Sequence, residues 1–203
     1  MKKFIFSNGI VILITVLVMA QPPSGKGDTP LQIIKRSNRQ VLEIFKQNPK
    51  VTEAVEDQIF SVIDGVTDFQ ALSKSVIAQF CPKLTESQCQ EFDRVFQNLL
   101  RISSIKKLGR YRADRFDYQG EEIKKNQAVV KTIAYYKDDQ VQLNYHLIRT
   151  GKEWKIINYV VDDVDTIRNY KKQFVRLFAR STFPKIIERL QKKIRSYQQE
   201  SQN

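Results

Sequence analysis

Few side chains in this sequence are placed to do covalent chemistry. The chain has one histidine, His146, and two cysteines, Cys81 and Cys89. A Ser-His-Asp hydrolase of the common kind carries its serine on a G-x-S-x-G elbow, and none occurs here. A zinc site needs several sulfur or nitrogen ligands at set spacings, whereas FCPKLTESQC is not C-x-x-C and the histidine is remote from it in sequence. Gly25-Lys26-Gly27 lacks the spacing and the preceding strand of a phosphate-binding loop. What remains for acid–base work is Asp162, Asp163 and His146, which a small enzyme with a cone-shaped α+β sheet could direct into an apolar cone. The acids also have a plainer use. In EWKIINYVVDDVDT a strand-like run gives way to a helix, where acids suit the positive end of the helix dipole and Asp165 is spaced to cap it.

The elements that would position these groups start with the chain's ends. The sequence opens MKKFIFSNGIVILITVLVMAQPPSG, in which Lys2 and Lys3 precede an apolar run from Ile10 to Val18. Val18-Met19-Ala20 suits a signal peptidase, so residues 1–20 are expected to be a cleaved leader. The alternative, an uncleaved anchor, sits at the low edge of spanning length. Residues 21–28 read as a linker, 29–195 as a single domain and 196–203 as a polar tail that frays. The net charge is +12. A basic excess points to nucleic acid in the cytosol, but after export the fitting partners are acidic proteins or anionic lipid head groups, at about 1 kcal/mol per basic residue near a charged membrane. In an oxidising compartment Cys81 and Cys89 are expected to pair as a disulfide, with free thiols the alternative.

Within the domain the apolar period changes once. Thr29, Pro30 and Gln32 make a capping box with proline at the first helical position, opening a helix to about residue 47. Thr52 and Asp68 open two more, to about residues 63 and 80. Thr85 with Gln88 opens a longer one to about 107, with Cys89, Phe92, Phe96, Leu99 and Leu100 on one face. After residue 110 the period becomes two, with strands expected at 111–118, 126–136, 140–149 and 153–161, joined at hairpin lengths. Connections this short leave no room for crossover helices. The fold class is therefore α+β: a curved antiparallel sheet of about four strands covered by N- and C-terminal helices.

Alternation sorts the strand residues by face. Val141, Leu143, Tyr145 and Leu147 point one way, and Gln142, Asn144 and His146 the other. Trp154, Ile156 and Val160 line up with the inner set, as do Ala128, Val130 and Ala134. The helix after Asp165 buries Ile167, Tyr170, Phe174 and Phe178 and turns Arg168, Lys171, Lys172, Arg176 and Arg180 outward. Small and medium apolar residues opposed by long helices fit either a filled core or a hollow one.

The order of these features resembles the MlaC family, also called the toluene-tolerance family. The resemblance rests on TPLQIIKRSNRQVLEIF, DFQALSKSVIAQF followed by T-x-x-Q, FDRVFQNLL, and a Trp-Lys strand before NYKKQF, in which Lys171 stands where the family commonly has arginine. It implies a periplasmic carrier with an apolar cavity between sheet and helices, shuttling phospholipid between outer- and inner-membrane complexes linked to an ABC transporter. Acting as a monomer, such a carrier needs no metal, nucleotide or catalytic base, and no nucleic acid. On that reading Val130, Val141, Leu143, Tyr145, Ile156 and Val160 line the sheet side of the cavity. Phe92, Phe96, Leu99 and Phe174 close the helix side, and Arg168, Lys171 and Lys172 meet a head group or a docking partner. Two other readings stand beside it: a basic adaptor with a solid core, and the small cone-fold enzyme.

Overall fold

Thr29 starts the first helix through a reciprocal pair of bonds. Its hydroxyl accepts from the Gln32 N–H at 3.3 Å, while the Gln32 side chain accepts from the Thr29 N–H at 2.9 Å. The computed structural model describes residues 27–110 and 112–200. The expected leader 1–20, most of the linker 21–28 and residues 201–203 of the tail lie outside the described residues. Helix α1 (Pro30–Gln47) is followed by α2 (Glu53–Val66), α3 (Phe69–Ile77), a short 3₁₀ turn (Cys81–Lys83) and the long α4 (Glu86–Arg110). Strands β1 (Arg115–Lys124), β2 (Gln127–Tyr136), β3 (Asp139–Thr150), β4 (Glu153–Val161) and β5 (Val164–Asp165) follow, then α5 (Thr166–Arg180) and α6 (Phe183–Glu200). Helix α6 thus runs on through the first five residues of the stretch expected to fray.

The sheet is an antiparallel meander in sequence order, β1-β2-β3-β4-β5. Each connection is a two-residue hairpin, and each carries left-handed backbone: Lys125, Lys137, Gly151, and the pair Asp162–Asp163. Such turns match the twist of the strands they join. The sheet has five strands where about four were expected, because the Asp162–Asp163 turn folds two more residues back onto β4. Strand β1 begins four residues later than the alternation suggested and runs through the charged Glu121-Glu122. Its register against β2 runs from Arg115↔Tyr135 to Lys124↔Gln127, with a slip between Tyr118 and Gly120 that leaves Gln119 as an extra residue.

A second irregularity redirects side chains. Between β3 and β4 the register slips so that His146 faces Asn158 while Leu147 faces Ile156, leaving Ile157 as the extra residue. A bulge of this kind reverses the alternation beyond it. Tyr159 and Val161 therefore share a face with Tyr145 and Leu143, and Val160 pairs with Asn144 on the other side. Val160 is corrected accordingly: it is not on the inner face.

Helix α1 packs on β1 and β2, α4 packs against α3 and α6, and α5 bridges α3 and β4. The α2–α3 junction docks directly on the sheet, with Thr67 bridged to Ile156 and the Asp68 N–H donating to the Ile156 carbonyl at 2.8 Å. Cys81 and Cys89 form a disulfide across the α3–α4 turn. Closing so short a loop stabilises the chain by about 2–3 kcal/mol in the loop-entropy account. The Cys81→Ser/Cys89→Ser pair is expected to lose about that much in urea unfolding, and an unchanged midpoint would contradict it.

Candidate functional site

The candidate lining residues fall into two apolar bodies that the sequence had merged into one. The helical body holds Phe92, Phe96, Leu99 and Phe174 together with Phe80, Leu72, Val76 and Ile186. The sheet body holds Val130, Tyr145 and Ile156 with Ile33, Ile34, Ala128, Leu147 and Trp154, and Leu143 packs half-buried against it. Among the described residues Tyr159 alone packs against both. Val141, on the inner face beside Ala134, lies near the hairpin end of the sheet and belongs to neither body.

Phe174 is the hub of the helical body. Its ring meets Phe92 and Phe96 edge-on at 4.9 Å each, and Phe80 at 6.2 Å. Phe80 in turn stacks on Phe178 at 4.5 Å. Edge-to-face pairs of this kind add about 0.5–1.5 kcal/mol each beyond burial. At three of the residues expected to line the cavity there is no open space. A void that admits water leaves accessible surface on its walls, and Phe92, Phe96 and Val130 have 0% exposure.

Buried and half-buried polar groups tie the helices to the sheet and the strands to one another. The Tyr145 hydroxyl donates to Asn38 Oδ1 at 3.1 Å, and Asn38 Nδ2 donates to the Tyr118 hydroxyl at 3.4 Å. The hydroxyls of Tyr159 and Thr67 are bonded at 2.8 Å, and the Tyr145 and Tyr159 rings meet edge-on at 5.9 Å. Thr132 donates to the Leu143 carbonyl at 2.6 Å. Asn158 Oδ1 accepts from the Tyr159 and Ile167 N–H groups while its Nδ2 donates to Asp165, tying the bulge to the start of α5. Sequence reasoning missed Tyr159, Thr67 and Asn38. The signal for Asn38 was present, since it lies four residues after Ile34 and three before Val41, on the buried face of α1.

Burial raises the pKa of both tyrosines. It pushes Tyr159 up to about 12 against the opposing bond from Thr67, and raises Tyr145 further against the bond to Asn38.

His146 is remote from the other acid–base candidates, the adjacent pair Asp162–Asp163 in the β4–β5 turn. Asp162 Oδ1 accepts from the Gln142 N–H at 2.9 Å and Asp165 caps α5 by accepting from the Arg168 N–H at 2.8 Å. His146 lies four residues along β3 from Gln142, about 13 Å at strand rise, on the face away from the apolar bodies. The basic candidates Arg168, Lys171 and Lys172 gather along a groove of about 380 Å³ with Gln79, Val175 and Arg176. A second groove, of about 600 Å³, runs between α4 and α6 and is lined mostly by amides and arginines, among them Gln90, Arg94, Gln97 and Arg195. Neither groove reaches the sheet body.

Comparison with known proteins places these features in context. The family model described as MlaC protein matches residues 35–192. A phospholipid-binding protein from Ralstonia solanacearum, solved in complex with a phospholipid, superposes with a TM-score of 0.68 at 19% identity, covering 81% of this chain and 96% of that one. No curated protein matches.

The Tyr159–Thr67 pair makes its own stability prediction. Tyr159, with its pKa raised above the ordinary 10.0, contributes stability that is complete below about pH 10 and lost as pH rises through about 12. Tyrosinate absorbance should show buried tyrosines ionising together with loss of near-ultraviolet circular dichroism. Full ionisation with the tertiary signal intact would refute this. Tyr159→Phe should cost about 1–3 kcal/mol in urea unfolding by stranding the Thr67 hydroxyl.

Proposed function

Because this chain belongs to the MlaC family, we propose that it binds phospholipid with the acyl tails held between its two apolar bodies, and carries it across the periplasm between inner- and outer-membrane complexes of an ABC-transporter system. The leader read at residues 1–20 serves export, and the carrier works as a monomer. The cargo is the only ligand it needs: no metal, nucleotide or nucleic acid takes part, and no bond is made or broken.

The observation that carries this reading is the division of the interior. A tail of about 15 methylenes left in water forfeits on the order of 12 kcal/mol, so a soluble carrier must enclose it. Inserting a chain into one continuous close-packed core would cost every contact it displaced. Here the interior divides into two apolar bodies that, among the described residues, share only Tyr159. Parting them gives the tail an apolar wall on either side, and the bonds given up, chiefly Tyr159–Thr67, are worth about 0.5–1.5 kcal/mol net each.

Val130, Leu143, Tyr145 and Ile156, joined by Ile34, form one wall; Phe92, Phe96, Leu99 and Phe174 form the other. Val141 borders the mouth at the hairpin end, and Tyr159 takes the place expected of Val160. The fold likeness to a solved protein in complex with a phospholipid supports the same assignment.

A second reading is favoured by the filled space around Phe92 and Phe96: a basic adaptor that binds only proteins. Organic extraction and mass spectrometry of protein purified from a bacterial envelope separates the two. Stoichiometric phospholipid is the carrier's result, and an empty extract is the adaptor's. Leu143→Arg puts a charge at the half-buried edge of the sheet wall, where it can reach water. It should leave a folded protein whose lipid content falls severalfold, and undiminished lipid in that variant would rule out the wall.

A further inference from the structure

Helix α5 spends its exposed face in an unusual way. Arg168, Lys172, Arg176 and Arg180 follow one another at four-residue intervals, and no acid occurs between Thr166 and Arg180. Opposite charges at that spacing stabilise an exposed helix, and like charges weaken it. Three consecutive like pairs are thus a standing cost to α5. Helix α6 has like pairs too, Lys185–Arg189–Lys193, but offsets them with Glu188, three residues after Lys185 and four before Lys192. No carboxylate among the described residues lies within 4.0 Å of Arg168, Lys171, Lys172 or Arg176 to offset the repulsion. The acids just upstream are engaged in part, Asp162 by the Gln142 N–H and Asp165 by the helix cap.

The same face exposes an apolar residue. Val175 is 53% exposed, and it sits in the shallow groove that Arg168, Lys171, Lys172 and Arg176 line with Gln79. Cations flanking an exposed apolar side chain on one helix face is the pattern that rests at a lipid–water boundary, charge toward phosphate and the apolar group toward the acyl chains.

We propose that the outer face of α5 is a contact surface for an anionic lipid bilayer. The cations reach head-group phosphates while Val175 meets the interface, and the buried side of the helix stays on the Phe174 hub. Each basic residue held near an anionic surface contributes about fivefold in partitioning. The contact goes beyond the carrier reading and does not depend on lipid in the interior.

The test is flotation of the full chain with vesicles of phosphatidylglycerol and phosphatidylcholine, and with vesicles of phosphatidylcholine alone. Binding should require the anionic lipid and weaken steeply as salt is raised. The Arg168→Glu/Lys172→Glu/Arg176→Glu variant should lose about a hundredfold or more in partitioning, while Arg168→Lys/Arg176→Lys retains binding and controls for folding. Equal binding to neutral vesicles, or undiminished binding of the charge-reversed variant, would overturn the proposal. So would binding to polyglutamate with none to anionic vesicles, which would assign the face to an acidic protein. Phospholipid extracted from the same wild-type samples reports on the carrier reading separately, since an empty interior leaves the flotation result untouched.

Discussion

The interior is organised around a hydrogen bond that most cores do not contain. Tyr159 and Thr67 join their hydroxyls at 2.8 Å where the helical and sheet bodies meet, and the backbone beside Thr67 is itself tied to Ile156. A buried hydroxyl without a partner costs more than the bond it lost, so this pairing fixes where the α2–α3 junction sits on the sheet. Asn38 does the same for α1 by holding Tyr145 and Tyr118. Apolar burial supplies most of the stability, but these polar contacts decide which surfaces meet.

The sequence was most legible where the physics is local. The capping boxes at Thr29 and Thr85, and the cap at Asp165, were readable because the bonds span three residues and need nothing else. The inward set Leu143, Tyr145 and Leu147 was readable because β3 keeps strict alternation. Val160 was misplaced because the extra residue Ile157 sits opposite a partner strand, and nothing in β4 alone marks it. The start of β1 was misjudged for a similar reason, as an edge strand can carry charges that break its own pattern.

The candidate site was legible in its residue types and not in its arrangement. Periodicity says that Phe92 and Val130 are both buried, and both are. It does not say that they belong to separate bodies, since that depends on which helix crosses which strand. Asn38 and Thr67 were passed over because a polar residue on an apolar face reads as an interruption until its partner is known. Asn158 was seen as such an interruption, and proves to serve three bonds at the bulge.

The covalent link at the α3–α4 turn reaches further than its own loop. It holds the residue next to Phe80, whose ring lies flat on Phe178 near the far end of α5 and edge-on to the Phe174 hub. A cross-link, a ring stack and the aromatic hub thus act in series on α3, α4 and α5. A load on any one of these three helices is therefore carried to the other two through covalent and ring contacts.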